Sequence, residues 1–264
     1  MGKGFTIVEV MIFLAISGLL LTMAIIGSDG MARRARFTDS VNTLHSTFQK
    51  YYEQTASGVN TRGTVGCSGT TSAGTDSCLL LGRIISFRIN SVSTPSMRIR
   101  YVTGNANVAD SGSVYSQIQN AAPKVSDSGL EEYDIAWNAR IPVASRDSGP
   151  VSGSDPVKAS SSRAIINTIA FLRSPNSSQI VPYYFYADDT TLSLSDAQAG
   201  LDAAVAHSDL TSQTTAAVCV TNIQDYVTTT TPQAAILFGD GVGSSLIDTT
   251  FSPSLGGGGL CYQY

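Results

Sequence analysis

The strongest hydrophobic pattern in the chain is an unbroken apolar run near its amino terminus. Residues 5–26 form this run of 22 residues, and a helix of that length can cross a hydrocarbon core of about 30 Å. One charged residue, Glu9, lies within it. A carboxylate in a membrane-spanning helix costs about 3 kcal/mol, so it calls for a partner or a purpose. The run therefore predicts a spanning helix in which Glu9 has a role of its own.

The pattern changes to that of an amphipathic helix after the apolar run. Apolar side chains recur there at steps of three and four residues, and the pattern ends near Gly58. We therefore expect residues 28–57 to continue the helix with one apolar stripe that packs against a sheet. His45 borders this stripe and is expected to be packed or half-exposed rather than a ligand. The stripe consists of Phe37, Val41, Leu44, Phe48, Tyr51 and Tyr52.

Beyond Gly58 the pattern becomes typical of strands. Short apolar or alternating runs stand between turn-forming residues, and they predict strands at 79–89, 97–102, 164–172, 180–186, 216–221, 234–238 and 260–264. A polar stretch near 103–163 is interpreted as an insertion or surface loop, except for its interior segment 130–141, which is expected to pack. One long helix followed by antiparallel strands predicts an α+β fold with a globular head over residues 58–264.

Four cysteines, Cys67, Cys78, Cys219 and Cys261, lie in this head. No two of them have the two-residue spacing of zinc ligands, and neither histidine lies near a cysteine pair, so no metal site is predicted. We expect a local Cys67–Cys78 disulfide and a Cys219–Cys261 disulfide that closes the last hairpins. Such bonds require an oxidising compartment. The alternative is four unpaired thiols in a cytosolic protein.

Composition agrees with one exposed domain on an anchor. The 264 residues include only 14% charged residues, against a typical share of about 25%, and the net charge is −4. That balance argues against a strongly basic nucleic-acid-binding surface and against an acidic disordered tail. The surface is instead rich in Ser, Thr, Gly and Asn, which suits a domain outside the cell.

A secretory signal peptide and a plain membrane anchor are the two common explanations of an apolar amino terminus, and neither accounts for all of its features. A secretory signal peptide has an apolar region of roughly 7–15 residues followed by a small-x-small cleavage pattern. The run here is longer, contains Glu9 and leads into no such pattern. A plain membrane anchor explains the length of the run but not the position of the glutamate.

Residues 4–9, Gly-Phe-Thr-Ile-Val-Glu, resemble the class III signal of type IV prepilins and of the pseudopilins of type II secretion systems. The resemblance rests on Lys3 in a short leader, the Gly4–Phe5 junction, Thr6, Glu9 and the apolar helix that follows. It implies that residues 1–4 are a leader, that a prepilin peptidase cuts between Gly4 and Phe5, and that Phe5 becomes N-methylated.

The same resemblance implies how the chain assembles. Residues 5–27 would form a transmembrane helix that becomes the core of a filament. There Glu9 would pair with the methylated amine of Phe5 on a neighbouring subunit and fix the register between subunits, as one buried polar group does in coiled coils. The implied partners are the prepilin peptidase, other pilin subunits, the membrane, and an assembly platform with its ATPase. No cofactor is implied.

The implied location is the cytoplasmic membrane, with a single pass and the head outside, and then a filament at the cell surface. The charges beside the run oppose this orientation, because Arg33, Arg34 and Arg36 follow it while only Lys3 precedes it, which by the positive-inside rule alone would keep the head in the cytoplasm. The family does place polar, sometimes basic residues at this position, at the level of the outer headgroups.

The implied function is structural: a minor pilin or pseudopilin with the pilin fold. The layout resembles the H-type pseudopilins and FimT-like pilins, which have a strand ending in Leu-Arg, as at 171–173, and a late strand with Phe then Gly, as at 236–239. The alternative is a pilin-anchored binding module, either an adhesin or a DNA-uptake contact. Some FimT-like pilins bind DNA through basic tails, but residues 255–264 contain no basic residue.

Other candidate chemistry is weak. The closest approach to a basic patch is Arg83, Arg88, Arg98 and Arg100, and a chain of net negative charge with one such patch is not expected to bind DNA. The remaining candidates are interpreted as a solvated turn, a polar helix end and a hairpin turn rather than as calcium, catalytic or phosphate sites; they are Asp188 with Asp189, His207 with Asp209, and residues 239–243. No enzyme activity is predicted.

Overall fold

The computed structural model describes residues 6–58, 66–67, 71–72, 78–87, 96–108, 112–136, 139–141, 163–165, 168–185, 193–206, 215–222, 233–238 and 247–252. Within the first range, side chains are not described at 24–30. By their internal contacts the residues fall into two compact units, 1–39 and 40–264.

Three helices and twelve strands are described. The helices are α1 (Ile7–Ala56), α2 (Val114–Asn120) and α3 (Leu194–Ala206). The strands are β1 (Gly66–Cys67), β2 (Thr71–Ser72), β3 (Cys78–Phe87), β4 (Ser96–Asn105), β5 (Lys124–Asp134), β6 (Ala139–Arg140), β7 (Arg163–Ile165), β8 (Thr168–Arg173), β9 (Ile180–Phe185), β10 (Thr215–Asn222), β11 (Gln233–Phe238) and β12 (Ile247–Ser252).

The helix α1 is 50 residues long and ends where the sequence predicts. After Ala56 the backbone of Gly58 adopts a φ of +59°, which stops the helix and which glycine tolerates better than other residues. The predicted stripe is confirmed, since five of its six members are buried and Tyr52 is half-buried.

A five-stranded antiparallel sheet in the order β5-β4-β3-β8-β9 forms the centre of the second unit. One of its faces packs on the part of α1 that follows Ser40. The ring of Phe48 lies 5.6 Å from that of Phe87 on β3, and the ring of Tyr52 lies 5.7 Å from that of Phe171 on β8. The prediction of a helix on an antiparallel sheet is therefore confirmed.

The opposite face of this sheet packs on α2 and α3. Strand β8 shows the alternation: Phe171 faces α1, while Ala170 and Leu172 join an apolar cluster with Leu201 and Val205 of α3. Because both faces are covered, the central strands are buried almost throughout.

A second sheet has the order β12-β11-β10-β6, and β7 pairs with β10 in parallel. Phe238 on β11 joins this second sheet to α1 and to the first sheet. Its ring centre lies 5.0 Å from that of Phe48 on α1 and 6.0 Å from that of Tyr184 on β9. The half-buried His45 has Nε2 3.3 Å from the carbonyl oxygen of Ile247, so it packs as predicted.

Two strand predictions need correction. Residues 164–172 are not one strand, because β7 joins the second sheet and β8 the first. The stretch 103–163 is not simply an insertion, because α2, β5 and β6 lie within it. Its interior does pack, since Ile135, Ala139 and Ile141 are buried. β5 was missed because most of its residues are polar and its apolar residues Val125 and Leu130 stand five residues apart, so no apolar alternation marks it.

The sequence reading also missed α3 and β12. Helix α3 is rich in Ala and has only two large apolar side chains in its interior, Leu201 and Val205, so its period is weak. A start signal was nevertheless present, because the hydroxyl of Ser193 accepts a 3.1 Å hydrogen bond from the backbone N–H of Asp196. The other predicted strands match β3, β4, β9, β10 and β11, and residues 260–264 lie outside the described residues.

Candidate functional site: the amino-terminal helix

The first turns of α1 expose apolar side chains on every face. Ile7 is 79% exposed and Phe13 is 70% exposed. Because consecutive positions are involved, no polar face remains, and a helix that is apolar all round requires apolar surroundings. The exposed side chains are Ile7, Val8, Val10, Met11, Ile12, Phe13, Leu14, Ile16, Leu19, Leu20, Leu21 and Met23.

Among the residues that the structure describes, no helix has a stretch both long and apolar enough to cross a membrane.

Glu9 is held by its own helix start. The backbone N–H and the hydroxyl of Thr6 both donate to Oε2 of Glu9, at 3.0 and 2.9 Å. The backbone N–H of Glu9 donates back to the Thr6 hydroxyl at 3.3 Å. This reciprocal arrangement is a capping box, which satisfies N–H groups that the first turn of a helix leaves unpaired.

The two carboxylate oxygens of Glu9 therefore differ. Oε2 takes both bonds from Thr6, whereas Oε1 accepts no hydrogen bond from the described residues. Oε2 thus stabilises the start of the helix to which Glu9 belongs. The sequence reading assigned Glu9 only an intersubunit role, although a Thr followed three residues later by a Glu is a signal for a capping box.

The structure describes only some of the other predicted site residues. Gly4 and Phe5 lie outside the described residues. Cys78 and Cys219 are each buried and disulfide-bonded. The side chain of Cys67 and the whole of Cys261 lie outside the described residues, so the pairing stays a prediction.

The candidates for metal or catalytic chemistry gain no support. Within the described residues, no group of His, Cys, Asp and Glu side chains is arranged to hold a metal ion. Asp188, Asp189, His207, Asp209 and residues 239–243 lie outside the described part of the chain.

The arginines proposed as a small basic patch do not form one. Arg83 and Arg100 are buried, and Arg98 is only 21% exposed. Arg83 forms an ion pair with Glu131 at 3.1 Å, and Arg98 forms one with Glu132 at 3.3 Å. Side chains that are buried and neutralised in this way offer little charge to a phosphate backbone. Arg88 lies outside the described residues.

A polar cluster in which Glu131 accepts bonds from three side chains joins α1 to the sheet. Tyr51 and Tyr133 donate to its Oε2, at 2.7 and 2.6 Å, and Arg83 donates to its Oε1. Burial by itself raises the pKa of Glu131, but the hydrogen bonds from the two tyrosines and the charge and hydrogen bond of Arg83 outweigh it, so the pKa is lowered overall. Burial first, and then the interactions with Tyr133 and with the carboxylate of Glu131, raise the pKa of Tyr51. The cluster is therefore an anion with neutral phenols and a cation around it.

Residues 2–25 match the family model of the prokaryotic N-terminal methylation motif. The matched segment contains the Thr6–Glu9 capping box and all of the exposed apolar side chains from Ile7 to Met23. No curated protein and no solved structure matches the chain.

Proposed function

We propose that this chain, whose amino terminus carries the class III prepilin signal of the type IV pilin and pseudopilin family, is a structural filament subunit of that family and not an enzyme. In this proposal the leader is removed between Gly4 and Phe5, and the new amine of Phe5 is methylated. The mature chain is anchored in the cytoplasmic membrane by residues 5–27 and then enters a filament at the cell surface.

The observation that carries the proposal is the exposed apolar surface from Ile7 to Met23. Such a surface is unfavourable in water at roughly 25 cal/mol per Å², so it must be covered by lipid or by other helices. A filament core of packed amino-terminal helices would cover all of its faces. The membrane would cover it before assembly, and the head would remain outside.

Glu9 fits this role through its second oxygen. A carboxylate inside a core of apolar helices needs a cationic or hydrogen-bonding partner. Oε2 is satisfied within the subunit by Thr6, and Oε1 is free to accept the methylated amine of Phe5 from a neighbour. That pairing would fix the axial register between subunits.

The head fits a role outside the cytoplasm. We propose the disulfides Cys67–Cys78 and Cys219–Cys261, which require an oxidising compartment. Strand β1, which ends at Cys67, lies beside β4, and β4 pairs with β3 opposite Cys78, so the first pair of cysteines belongs to one region of the head. The resemblance of 171–173 to the Leu-Arg strand ends of H-type and FimT-like subunits favours a minor pilin, and β8 does end at Arg173.

Mass spectrometry of the intact protein and its amino-terminal peptide, on material sheared from the host's surface, tests the proposal. We expect a chain that begins at methylated Phe5 and is enriched in the sheared fraction. A Gly4→Val variant should retain residues 1–4 and remain in the membrane, because the residue before the cleaved bond is altered. Wild-type protein that retains its leader and is absent from sheared material would overturn the proposal.

A further inference from the structure

Three buried polar atoms of the central sheet have no hydrogen-bond partner. They are Oγ of Ser86 on β3, and Nε of Arg98 and Nη1 of Arg100 on β4. These three residues are called the donor cluster below. In the part of the chain that the structure describes, two other buried side-chain atoms share this condition, Oε1 of Gln54 and the hydroxyl of Tyr183. Buried polar groups without a hydrogen bond are unfavourable, and charged ones most of all, so three in one place point to a bound ligand.

Strand register places the three side chains side by side. Ser86 is directly opposite Arg98 in the antiparallel pairing of β3 with β4, and Arg100 follows two positions along β4 on the same face. Directly opposite residues have Cβ atoms about 5 Å apart, and diagonal neighbours are about 7–8 Å apart, which an arginine side chain can bridge. One hydroxyl and two guanidinium groups can therefore reach the same small region.

The donor cluster borders the apolar cluster between the sheet and α3. Ile84 and Val102, which lie on the same face of the sheet, belong to that apolar cluster. Ser86 is 1% exposed and Arg100 is 3% exposed, whereas the side chain of Arg98 is 21% exposed. A small solute can therefore reach the donor cluster beside Arg98, while a polymer such as a nucleic acid cannot.

The unfilled positions are single N–H groups and not whole side chains. Both arginines interact with other residues of the chain, and Arg98 forms its ion pair with Glu132. A guanidinium group has five N–H donors, so such interactions can leave one donor without an acceptor. This is the case for Nε of Arg98 and Nη1 of Arg100. Among the described residues, two positive charges of the donor cluster face the one carboxylate of Glu132.

The chemistry of these atoms suits an anion. The two N–H groups can only donate, and the serine hydroxyl can also donate. A tetrahedral oxyanion offers acceptor oxygens in several directions and compensates positive charge, whereas a planar carboxylate has two oxygens for three donors. We propose that Ser86, Arg98 and Arg100 bind a small tetrahedral oxyanion, inorganic phosphate or sulfate. This site lies in the head and is independent of the proposed filament function.

Calorimetric titration with inorganic phosphate tests the site. The full chain is purified in a non-ionic detergent and titrated at constant ionic strength. We expect a saturable heat with one phosphate bound per chain. Sulfate should compete with phosphate, and acetate, which has a planar carboxylate, should not. Acetate that competes as well as sulfate would overturn the assignment to a tetrahedral oxyanion.

Two variants of the donor cluster should weaken phosphate binding roughly tenfold each, because each removes one donor to a charged ligand. Ser86→Ala removes the hydroxyl, and without phosphate it should unfold at the same temperature as wild type or higher, since a buried hydroxyl without a partner is gone. Arg98→Lys keeps the positive charge beside Glu132 but removes Nε.

Ser40→Ala is the matched control for Ser86→Ala. Ser40 is also 1% exposed, but its hydroxyl donates a 3.0 Å hydrogen bond to the carbonyl oxygen of Ala136. This variant should unfold at a lower temperature than wild type without phosphate and should bind phosphate with wild-type affinity.

Two results overturn the proposal. One is the absence of a saturable heat in the wild-type chain, which would leave the three atoms to water. The other is wild-type phosphate affinity in both Ser86→Ala and Arg98→Lys. Phosphate and sulfate also stabilise proteins generally, because they are excluded from protein surfaces. A rise in unfolding temperature with phosphate that Ser86→Ala retains in full is therefore this general effect and counts against the site.

Discussion

The phenolic hydroxyl of Tyr51 donates a 2.7 Å hydrogen bond to Oε2 of Glu131, and this bond joins the long helix to the edge of the central sheet. Tyr51 is fully buried on α1. Arg83 of β3 reaches the other oxygen of the same carboxylate, and its guanidinium lies 5.0 Å from the ring centre of Tyr51 and 4.5 Å from that of Tyr101. One carboxylate thus ties the helix to two strands through charged and aromatic contacts.

This cluster predicts a loss of stability in acid. The pKa of Glu131 is lowered in the folded state, so the carboxylate contributes stability that is present above its unfolded pKa of about 4.3 and is lost as the pH falls through its folded value. The free energy of unfolding should therefore fall below about pH 4.3 more steeply in wild type than in Glu131→Gln. Urea unfolding of the full chain between about pH 3 and pH 6 measures this.

A matched control for Glu131→Gln is Glu53→Gln, which changes an exposed glutamate of α1, two residues from Tyr51. It should keep the wild-type acid dependence. If Glu131→Gln also kept it, the cluster would not be the source of the acid sensitivity.

The C-terminal end of α1 predicts a second effect on stability. Gly58 has a φ of +59°, and a Cβ at this position would overlap a guanidinium nitrogen of Arg173. Gly58→Ala should therefore lower the free energy of unfolding by roughly 1–2 kcal/mol, through backbone strain and displacement of the arginine. Gly58→Asn meets the same arginine but tolerates the positive φ, so thermal unfolding should show a smaller loss. Equal losses for the two variants would mean that the contact with Arg173, and not the backbone, dominates.

The sequence predicts best where the period of the apolar residues and the burial agree. The stripe on α1 lies at the predicted positions because one helix face packs on a sheet. The apolar residues of a helix that buries one face must recur with a period of 3.6 residues. The central strands β3 and β4 are also predicted within a few residues, because both are long and apolar. Exposed edge elements do not have this property. β5 ends in Glu131, Glu132, Tyr133 and Asp134, and no apolar alternation marks it.

The candidate site was predictable only in part. The Glu9 charge inside an apolar run identified the residue, because a carboxylate there is costly. Its bond to Thr6 is a local capping interaction that the spacing of the two residues already indicated. The Arg83–Glu131–Tyr51 cluster was not predictable, because its members lie far apart in the sequence and only strand register brings them together: Arg83 is opposite Tyr101, and Tyr101 lies beside β5. The assignment of Arg83 to a surface patch was wrong for the same reason.

The core predicts a third effect at Phe48. Its ring is almost fully buried and contacts Phe87 of the first sheet and Phe238 of the second, at 5.6 and 5.0 Å. Phe48→Ala removes contacts with both sheets and should lower the free energy of unfolding by roughly 3–5 kcal/mol in urea. Gln49→Ala, the exposed neighbour on the same helix, should change it by less than about 0.5 kcal/mol. A small effect at Phe48 would mean that the two sheets do not share one cooperative core.

The capping box predicts that Thr6 governs incorporation through Glu9. Thr6→Val keeps the shape of the side chain but removes the hydroxyl, which donates to Oε2 of Glu9 and accepts its backbone N–H. Loss of a cap costs about 1 kcal/mol, and an apolar environment raises that cost because no water replaces the bonds. Thr6→Val should therefore be cleaved normally but incorporated into sheared filaments several-fold less than wild type, while Thr6→Ser, which keeps the hydroxyl, should behave as wild type. Intact mass separates cleavage from incorporation.

In a Glu9→Gln background the Thr6→Val change should have a smaller effect, since the carboxylate to which the hydroxyl donates is already absent. An equal effect in both backgrounds would show that Thr6 acts independently of Glu9.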